Sequence, residues 1–331
     1  MGVAPAVTAP GAPRRLAGRG GAWRRWLSPD EVHRRALALC ALSVFAVVVL
    51  IVAETTRGAW PALHEYGGRF LTGTAWDPVA EKFGALPYLY GTLVTSAIAL
   101  ALALPLGVGS AVYLAEIAPR AVGDAVSFLV ELLASIPSIV YGIWGMFVLA
   151  PFLRSVVEPW LIAHLGFLPL FRGYPFGIGV LNAGIVLAIM IVPTIVSISR
   201  EVLLAMPRTL REAALALGAT RAEAIGVTLD AARPGILGAV ILALGRALGE
   251  TMAVTMVIGN SNHISASLLA PGATMASVIA NEFTEATSSL HLSALVAIAL
   301  VLFAFTVVVN GFARLLVLWA TGGRRDVAGA A

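Results

Sequence analysis

The stretch TLREAALALGATRAEAIGVTLDAARPG, residues 209–235, is a charged and alanine-rich segment between two long apolar runs. It contains two capping boxes, beginning at Thr209 and Thr220, because each threonine is followed three residues later by a glutamate. Gly218 lies between the two boxes and suits the left-handed conformation that ends a helix. The stretch therefore predicts two short helices that meet at a sharp turn and project from the membrane.

The composition of the rest of the chain is that of a membrane protein. Hydrophobic residues make up 59% of the 331 residues and charged residues only 12%, against about 25% charged residues in soluble domains. Six runs are long and apolar enough to cross a bilayer as helices. They cover residues 36–53, 88–115, 125–153, 176–199, 234–259 and 292–313. We therefore expect an all-α, polytopic helical membrane protein with six transmembrane helices.

The chain divides into a tail and a membrane domain. Residues 1–30 are rich in Ala, Pro, Gly and Arg and show no apolar period, which predicts a disordered tail. Residues 31–325 form the predicted transmembrane domain. Pro105, Pro137 and Pro193 lie inside three of the runs and are expected to kink those helices.

The distribution of basic residues predicts the orientation. Six spans place both termini on one side, and that side, with the loop of about residues 200–235, carries sixteen arginines. The opposite connections carry five basic residues. By the positive-inside rule, both termini and the loop lie in the cytoplasm and the chain crosses the cell membrane several times.

Arg246 and Glu250 stand out because they lie inside the fifth run. An ionised side chain at the bilayer centre costs about 2.5–3.5 kcal/mol on insertion scales, so such residues usually face a bundle interior or an aqueous path. Four residues apart on one helix, the two charges can pair. Gly245 and Gly249 flank them as GxxxG, which permits close approach of a neighbouring helix.

Two interpretations of this pair remain open. The first is a buried salt bridge that fixes helix register. The second places Arg246 on the route of an anion, since a guanidinium offers a planar fork that matches phosphate oxygens and stays charged when desolvated. Glu250 would then hold Arg246 and keep the anion from binding too tightly to leave. We favour the second interpretation.

Several kinds of chemistry are not expected from the sequence. The histidines have no metal-ligand spacing and there is a single cysteine, Cys40, so neither a metal site nor another cofactor is predicted. The only lysine, Lys82, is followed by phenylalanine, so the chain has no Walker A motif for ATP. The basic residues flank the membrane without interleaved aromatic residues, which argues against nucleic-acid binding.

Separate segments of the chain resemble one known family. EAALALG, residues 212–218, resembles the EAA loop of the binding-protein-dependent ABC importer permeases. ALPYLYGTL (85–93), ELLASIPSIVYGIWGMFVLAP (131–151) and GRALGETMAVTMVIGN (245–260) narrow the resemblance to the permeases of phosphate-specific ABC importers. The resemblance covers about residues 75–315.

The chain departs from that family at one place. The family usually has Leu-Pro a little past the EAA glycine, whereas here Leu229 is followed by Asp230. The stretch is about one residue shorter than expected. This departure concerns the shape of the second loop helix and its effect on coupling to the ATPase.

The resemblance implies a fold and a function. The fold is that of type I (MetI-like) ABC importer permeases, and the function is translocation of inorganic phosphate across the cytoplasmic membrane, with ATP hydrolysed by a separate chain rather than by this one. The resemblance implies that Glu212, Ala213, Ala214 and Gly218 dock on the ATPase and that Arg246 and Glu250 belong to the phosphate route. The implied partners are ATP-binding subunits, an extracytoplasmic phosphate-binding protein, a related but different second permease subunit, and membrane lipid.

Three alternatives remain at this stage. Sulfate or molybdate presents oxygens similar to those of phosphate, so the chain could serve another oxyanion. A self-powered secondary transporter could use Arg246 and Glu250 as a relay, although we find no internal repeat of the kind common in that class. A non-transporting membrane scaffold could report phosphate status to a signalling partner.

Overall fold

The structure is a computed structural model that describes residues 29–322. Residues 1–28, which hold nearly all of the expected tail, and residues 323–331 lie outside the described part. Contacts divide the chain into two units at Glu54 and Thr55. The boundary falls within the first helix, α1 (Pro29–Tyr66), and each unit is described by itself.

The first unit contains the amino-terminal part of α1. Apart from Ser43, residues 36–53 carry apolar side chains on all faces, and large ones such as Leu39, Phe45 and Leu50 are more than half exposed. A helix that is apolar all round cannot present these side chains to water without a large free-energy cost. Lipid tails are therefore the solvent that suits this segment.

Six helical spans are found within residues 29–322, as the sequence predicts, so the expected all-α membrane architecture is confirmed. Each is long and apolar enough to cross a bilayer. The spans are His33–Tyr66, Leu86–Ile117, Ser138–Leu165, Val180–Leu204, Arg221–Leu248 and Ser289–Leu315.

The second unit contains the remaining helices and one small sheet. The α-helices are α2 (Arg69–Thr72), α3 (Leu86–Val112), α4 (Arg120–Ser135), α5 (Ser138–Trp144), α6 (Ala150–Phe152), α7 (Glu158–Leu165), α8 (Val180–Leu204), α9 (Arg208–Ala216), α10 (Arg221–Leu248), α11 (Met252–Val257), α12 (Met275–Glu282) and α13 (Ser289–Gly322). The strands are β1 (Trp76–Asp77) and β2 (Lys82–Phe83). Wider π-helical turns at Tyr113–Ile117, Gly145–Leu149 and Leu153–Val157 and a 3₁₀ turn at Pro169–Phe171 complete the set.

The fourth span, α8, lies at the centre of the second unit. In its most apolar window 61% of the residues are buried, against 33% or fewer in the other spans. Met190, Ile191 and Ile195 of α8 are almost fully buried in the largest core cluster. A Cβ atom added at Gly107 of α3 would lie 2.7 Å from the Ile195 side chain. Glycine therefore lets α3 and α8 approach closely, which is how helices gain packing energy in a membrane.

The connections between spans lie on two faces, since successive spans run in opposite directions. We call the face formed by residues 73–85, 166–179 and 258–288 the hairpin face. The face formed by residues 118–137 and 205–220 is the α9 face. Each connection therefore belongs to a defined side of the membrane, whichever side is cytoplasmic.

The hairpin face is closed by the two short strands. Trp76 of β1 pairs with Phe83 of antiparallel β2. The Trp76 indole N–H donates to Glu282 Oε2 at 2.8 Å, and His291 Nε2 lies 3.0 Å from the same oxygen. These contacts join the connection before the second span to the helices before and within the sixth.

The third span differs from the predicted one. Residues 125–153 were expected to form one helix kinked at Pro137, but α4 ends at Ser135 and α5 begins at Ser138. Ile136 is extended, with ψ of 130°, because the ring of a following proline disfavours the helical conformation. Pro137 therefore separates two helices, and α4 is an amphipathic helix on the α9 face.

Candidate functional site

The sharp turn predicted at Gly218 is confirmed. Gly218 has φ of +86°, which is the left-handed region where glycine pays no steric penalty. The N–H of Ala219 donates to the carbonyl of Ala214 at 3.1 Å, closing the last turn of α9. The capping box at the start of α10 is also confirmed, because Glu223 N–H donates to Thr220 Oγ1 and Thr220 N–H to Glu223 Oε2.

Two local predictions for this segment are wrong. The box expected at Thr209 is not formed, because α9 already begins at Arg208, directly after Pro207, and has no side-chain cap. The second helix is not short either, since α10 continues to Leu248 and includes Pro234. The projecting part is therefore α9 and the turn, and the fifth span starts directly at Thr220.

The predicted docking residues lie together on α9 and its turn. Glu212, Ala213 and Gly218 are exposed and Ala214 is half-buried. Leu217, at the tip, is 90% exposed, which is unusual for a leucine outside the membrane spans. The segment therefore presents a compact surface that carries one carboxylate, several small side chains and one apolar side chain.

An ion pair holds the opposite side of α9 to the membrane domain. Arg211 Nη1 lies 2.7 Å from Glu116 Oε2, and the Glu116 side chain is only 8% exposed. Glu116 belongs to the π-helical turn at the end of the second span. The Arg211 side chain is 38% exposed, so the pair is only partly shielded from water, and it connects α9 to the end of that span.

The fifth span is broken where Glu250 lies. Helix α10 ends at Leu248, and after Gly249, Glu250 and Thr251 the short helix α11 begins at Met252. Glu250 Oε1 accepts the N–H of Ala253 at 3.2 Å. The carboxylate therefore satisfies a backbone donor left free at the start of α11.

Arg246 and Glu250 do not pair, contrary to the expectation from their spacing. Their four-residue spacing places two side chains on one face only along a continuous helix, and the helix ends between them. Arg246 is exposed on the last turn of α10 and makes no hydrogen bond or ion pair with another residue in 29–322. Its charge acts on the hydroxyl of Tyr141 in the third span, and it lies near the carbonyl end of α10, where a cation is favoured.

The GxxxG glycines do not act as a pair. A Cβ added at Gly245 would meet the Asn310 side chain of α13 at 3.6 Å, whereas at Gly249 it would meet only the Gly245 carbonyl. Gly245 thus contacts the sixth span and Gly249 belongs to the helix break. The Oδ1 atom of Asn310 is buried and accepts no hydrogen bond within the described residues. Asn310 is not among the site residues predicted from the sequence. Its only signal there is a single amide side chain in an apolar run.

No group of three or more His, Cys, Asp or Glu side chains suited to a metal ion occurs among the described residues. The chemistry available around Arg246 is therefore that of a guanidinium, a hydroxyl, amides and backbone groups. Such groups can bind and release an anion. They include no nucleophile activated by a neighbouring base.

Six apolar spans, a projecting helical turn and a cation without a partner in the described residues, at a helix break, are the features of a membrane transport component. A sequence model of the binding-protein-dependent transport system inner membrane component family matches residues 103–320, and the chain belongs to that family. It is therefore a transmembrane subunit of an ABC transporter and not an enzyme.

Relatives within the family are similar over nearly the whole chain. The phosphate transport system permease protein PstC of Mesorhizobium japonicum is 46% identical over 300 residues, covering 89% of this chain and 92% of the relative. The PstC protein of Haemophilus influenzae is 44% identical over 293 residues, covering 87% and 93%. The predicted resemblance is confirmed.

The expected MetI-like fold is confirmed by a solved structure. A chain of the MetNI methionine ABC transporter, in an inward-facing conformation, aligns with a TM-score of 0.51 at 21% identity. The alignment covers 72% of this chain and 94% of that chain. At this identity the likeness concerns the fold.

Proposed function

We propose that the chain is the permease subunit of an ABC importer that carries inorganic phosphate across the cytoplasmic membrane. The observation that carries the proposal is the identity of 44–46% with phosphate transport system permeases over almost nine-tenths of the chain. The same likeness favours phosphate over sulfate or molybdate.

The proposed partners follow from the membrane topology and the absence of a Walker A motif. ATP-binding subunits dock on α9 through Glu212, Ala213, Ala214 and Gly218, which form an exposed surface. An extracytoplasmic phosphate-binding protein meets the hairpin face. A related second permease subunit completes the pathway beside the exposed side of α10.

The proposed orientation places the α9 face in the cytoplasm, together with both termini. The α9 face carries Arg120, Arg208 and Arg211, with Arg200 and Arg221 directly beside it, whereas the hairpin face carries Lys82 and Arg172, with Arg69 beside it. This asymmetry has the sign that the positive-inside rule requires. The ATPase side and the basic side are therefore the same side.

Arg246 is the proposed contact for the translocated anion. Its guanidinium has no partner among the described residues, so its donors are free for a ligand, and its location at a helix break is typical of transporter sites. Glu250 holds the start of α11 and places a negative charge close by along the chain, which limits how tightly an anion binds. In this proposal Arg246 attracts the anion and Glu250 acts mainly through the backbone.

The decisive experiment is uptake of labelled phosphate into proteoliposomes that contain the permease subunits, with or without the ATPase chain, ATP and the binding protein. We expect uptake only when all are present. Uptake without ATP would instead identify a secondary transporter. Competition by excess sulfate or molybdate would identify a different oxyanion, and absence of any uptake would leave a scaffold as the better interpretation.

A further inference from the structure

A cavity of about 770 Å³ opens on the α9 face, away from Arg246. Its walls come from the end of the second span, the start of α4, the end of α8 and the helix α9. This volume lies within the range of about 300–1,000 Å³ that small-molecule sites occupy. The cavity therefore has room for a ligand between α9 and the membrane domain.

Four arginines line the cavity from three of these walls. Arg120 begins α4, Arg200 lies near the end of α8, and Arg208 and Arg211 belong to α9. The acidic side chains that line it number three. The cavity therefore has an excess of positive charge.

Only two of the four arginines are neutralised by a carboxylate. Arg200 Nη2 lies 2.9 Å from Asp124 Oδ1, and Arg211 pairs with Glu116. Arg120 and Arg208 make no hydrogen bond or ion pair with another residue of the described chain. The third acid, Glu212, makes none either and is exposed on α9. Two guanidinium groups, one on α4 and one on α9, thus have all their donors free.

Arg200 adds a positive charge to the wall that α8 forms. Its side chain is 17% exposed, and its Nε atom is buried with no acceptor. That atom is shielded from solvent, so it is not a contact for an anion in the open cavity, and Arg200 contributes its positive charge to the lining. Guanidinium forks on several walls of one cavity suit the tetrahedral oxygens of a phosphate group.

We infer that this cavity binds a phosphate group, which bridges Arg208 of α9 to Arg120 of the membrane domain. The inference rests on the proposed function only for its cytoplasmic location. Two sources supply the same chemistry on that side, namely free inorganic phosphate, which is the product of transport, and the headgroup of an anionic lipid. Either ligand ties α9 to the start of α4, in addition to the Arg211–Glu116 pair, which ties α9 to the end of the second span.

The test is thermal unfolding of the purified complex of permease and ATPase chains in phosphate and in chloride at equal ionic strength. We expect inorganic phosphate to raise the Tm by about 3 °C. The rise should disappear in Arg120→Gln and in Arg208→Gln, because a bridge needs both walls. Arg221→Gln is the matched control, since this exposed arginine on the same face does not line the cavity, and it should keep the rise.

Two further arms identify the ligand source and separate this site from the transport route. The series is repeated in nanodiscs of phosphatidylcholine alone and of phosphatidylcholine with phosphatidylglycerol. A rise caused only by phosphatidylglycerol, and lost in the same two variants, supports the site with a lipid headgroup as its occupant. A rise that persists in Arg246→Gln supports the cavity whether or not the chain transports phosphate. The inference is overturned if phosphate or phosphatidylglycerol raises the Tm equally in all variants or in none. It is also overturned if the rise in Tm disappears only in Arg246→Gln.

Discussion

Arg246 and Glu250 are close in sequence but perform separate tasks in the structure. Arg246 is an exposed cation at the end of α10 with no partner among residues 29–322, and Glu250 accepts a backbone N–H at the start of α11. The salt-bridge interpretation predicts that losing either residue has the same consequence. The structure predicts different consequences for the two.

Replacing Arg246 should abolish transport without disturbing assembly. Arg246→Gln removes charge-assisted hydrogen bonds worth about 1.5–3 kcal/mol to an anion, so uptake should fall by at least about tenfold. Arg246→Lys keeps the charge and should retain part of the activity. The measurement is phosphate uptake in proteoliposomes, with co-purification of the partner chains as the assembly control. Full uptake by Arg246→Gln would remove this residue from the route.

Replacing Glu250 should affect stability according to whether an acceptor remains. Glu250→Gln keeps an oxygen for the Ala253 N–H and should leave the Tm of the complex nearly unchanged. Glu250→Ala removes the acceptor and should cost about 1 kcal/mol, as expected for a lost cap. Equal losses in the two variants, measured by thermal unfolding, would show that the charge and not the cap stabilises the break.

At the scale of single elements, α9 is fixed on one side and open on the other. The Arg211–Glu116 pair holds its inner side, while Ala213 and Leu217 face outward. Small side chains on the open side permit close approach of another protein. In the permease alone, α9 is therefore expected to accept a large side chain on its open side. The same side chain should prevent binding of the ATPase.

Ala213→Trp tests this expectation. Because Ala213 is exposed, the variant should insert and fold with an unchanged Tm as the permease alone, but the bulky ring should prevent docking. Co-purification with the ATPase chains should be lost and ATP-driven uptake with it. Ala222→Trp, an equally exposed alanine in the first turn of α10, is the matched control and should keep both. Retained ATPase binding by Ala213→Trp would place the docking surface elsewhere.

The elements that could be predicted from sequence are those determined by local chemistry. The six spans follow from the length of the apolar runs. The turn at Gly218 follows from the suitability of glycine for the left-handed conformation, and the capping box follows from the spacing of Thr220 and Glu223. The break after Leu248 was missed because Gly249 also fits a GxxxG pattern, and the carboxylate that stabilises the break reaches a backbone N–H three residues later. The role of Pro137 was misjudged because a proline can kink a helix or separate two helices, and the surrounding apolar run fits both.

At the scale of the whole molecule, the two faces carry exposed residues that can report orientation. Val79 at the hairpin tip is 95% exposed and Leu217 at the α9 turn is 90% exposed. They belong to connections on opposite faces of the second unit. The only natural cysteine, Cys40, can be replaced first by serine, so that a single introduced thiol is labelled.

Val79→Cys should react with a membrane-impermeant maleimide added to intact cells, and Leu217→Cys should react only after the membrane is opened. This pattern follows if the α9 face and both termini are cytoplasmic. Labelling in permeabilised cells shows that each thiol is accessible and serves as the control. The reverse pattern would invert the proposed orientation and separate α9 from the ATP-hydrolysing partner.

The continuity of α10 has a mechanical consequence. One uninterrupted helix runs from Arg221, beside the turn at Gly218, to Arg246, and at a rise of 1.5 Å per residue this distance is about 38 Å. One end of this helix lies next to the docking surface, and the other end carries the Arg246 guanidinium. A tilt of about 10° around its base would move the guanidinium sideways by about 7 Å, which is enough to bring it into or out of contact with an anion beside the helix.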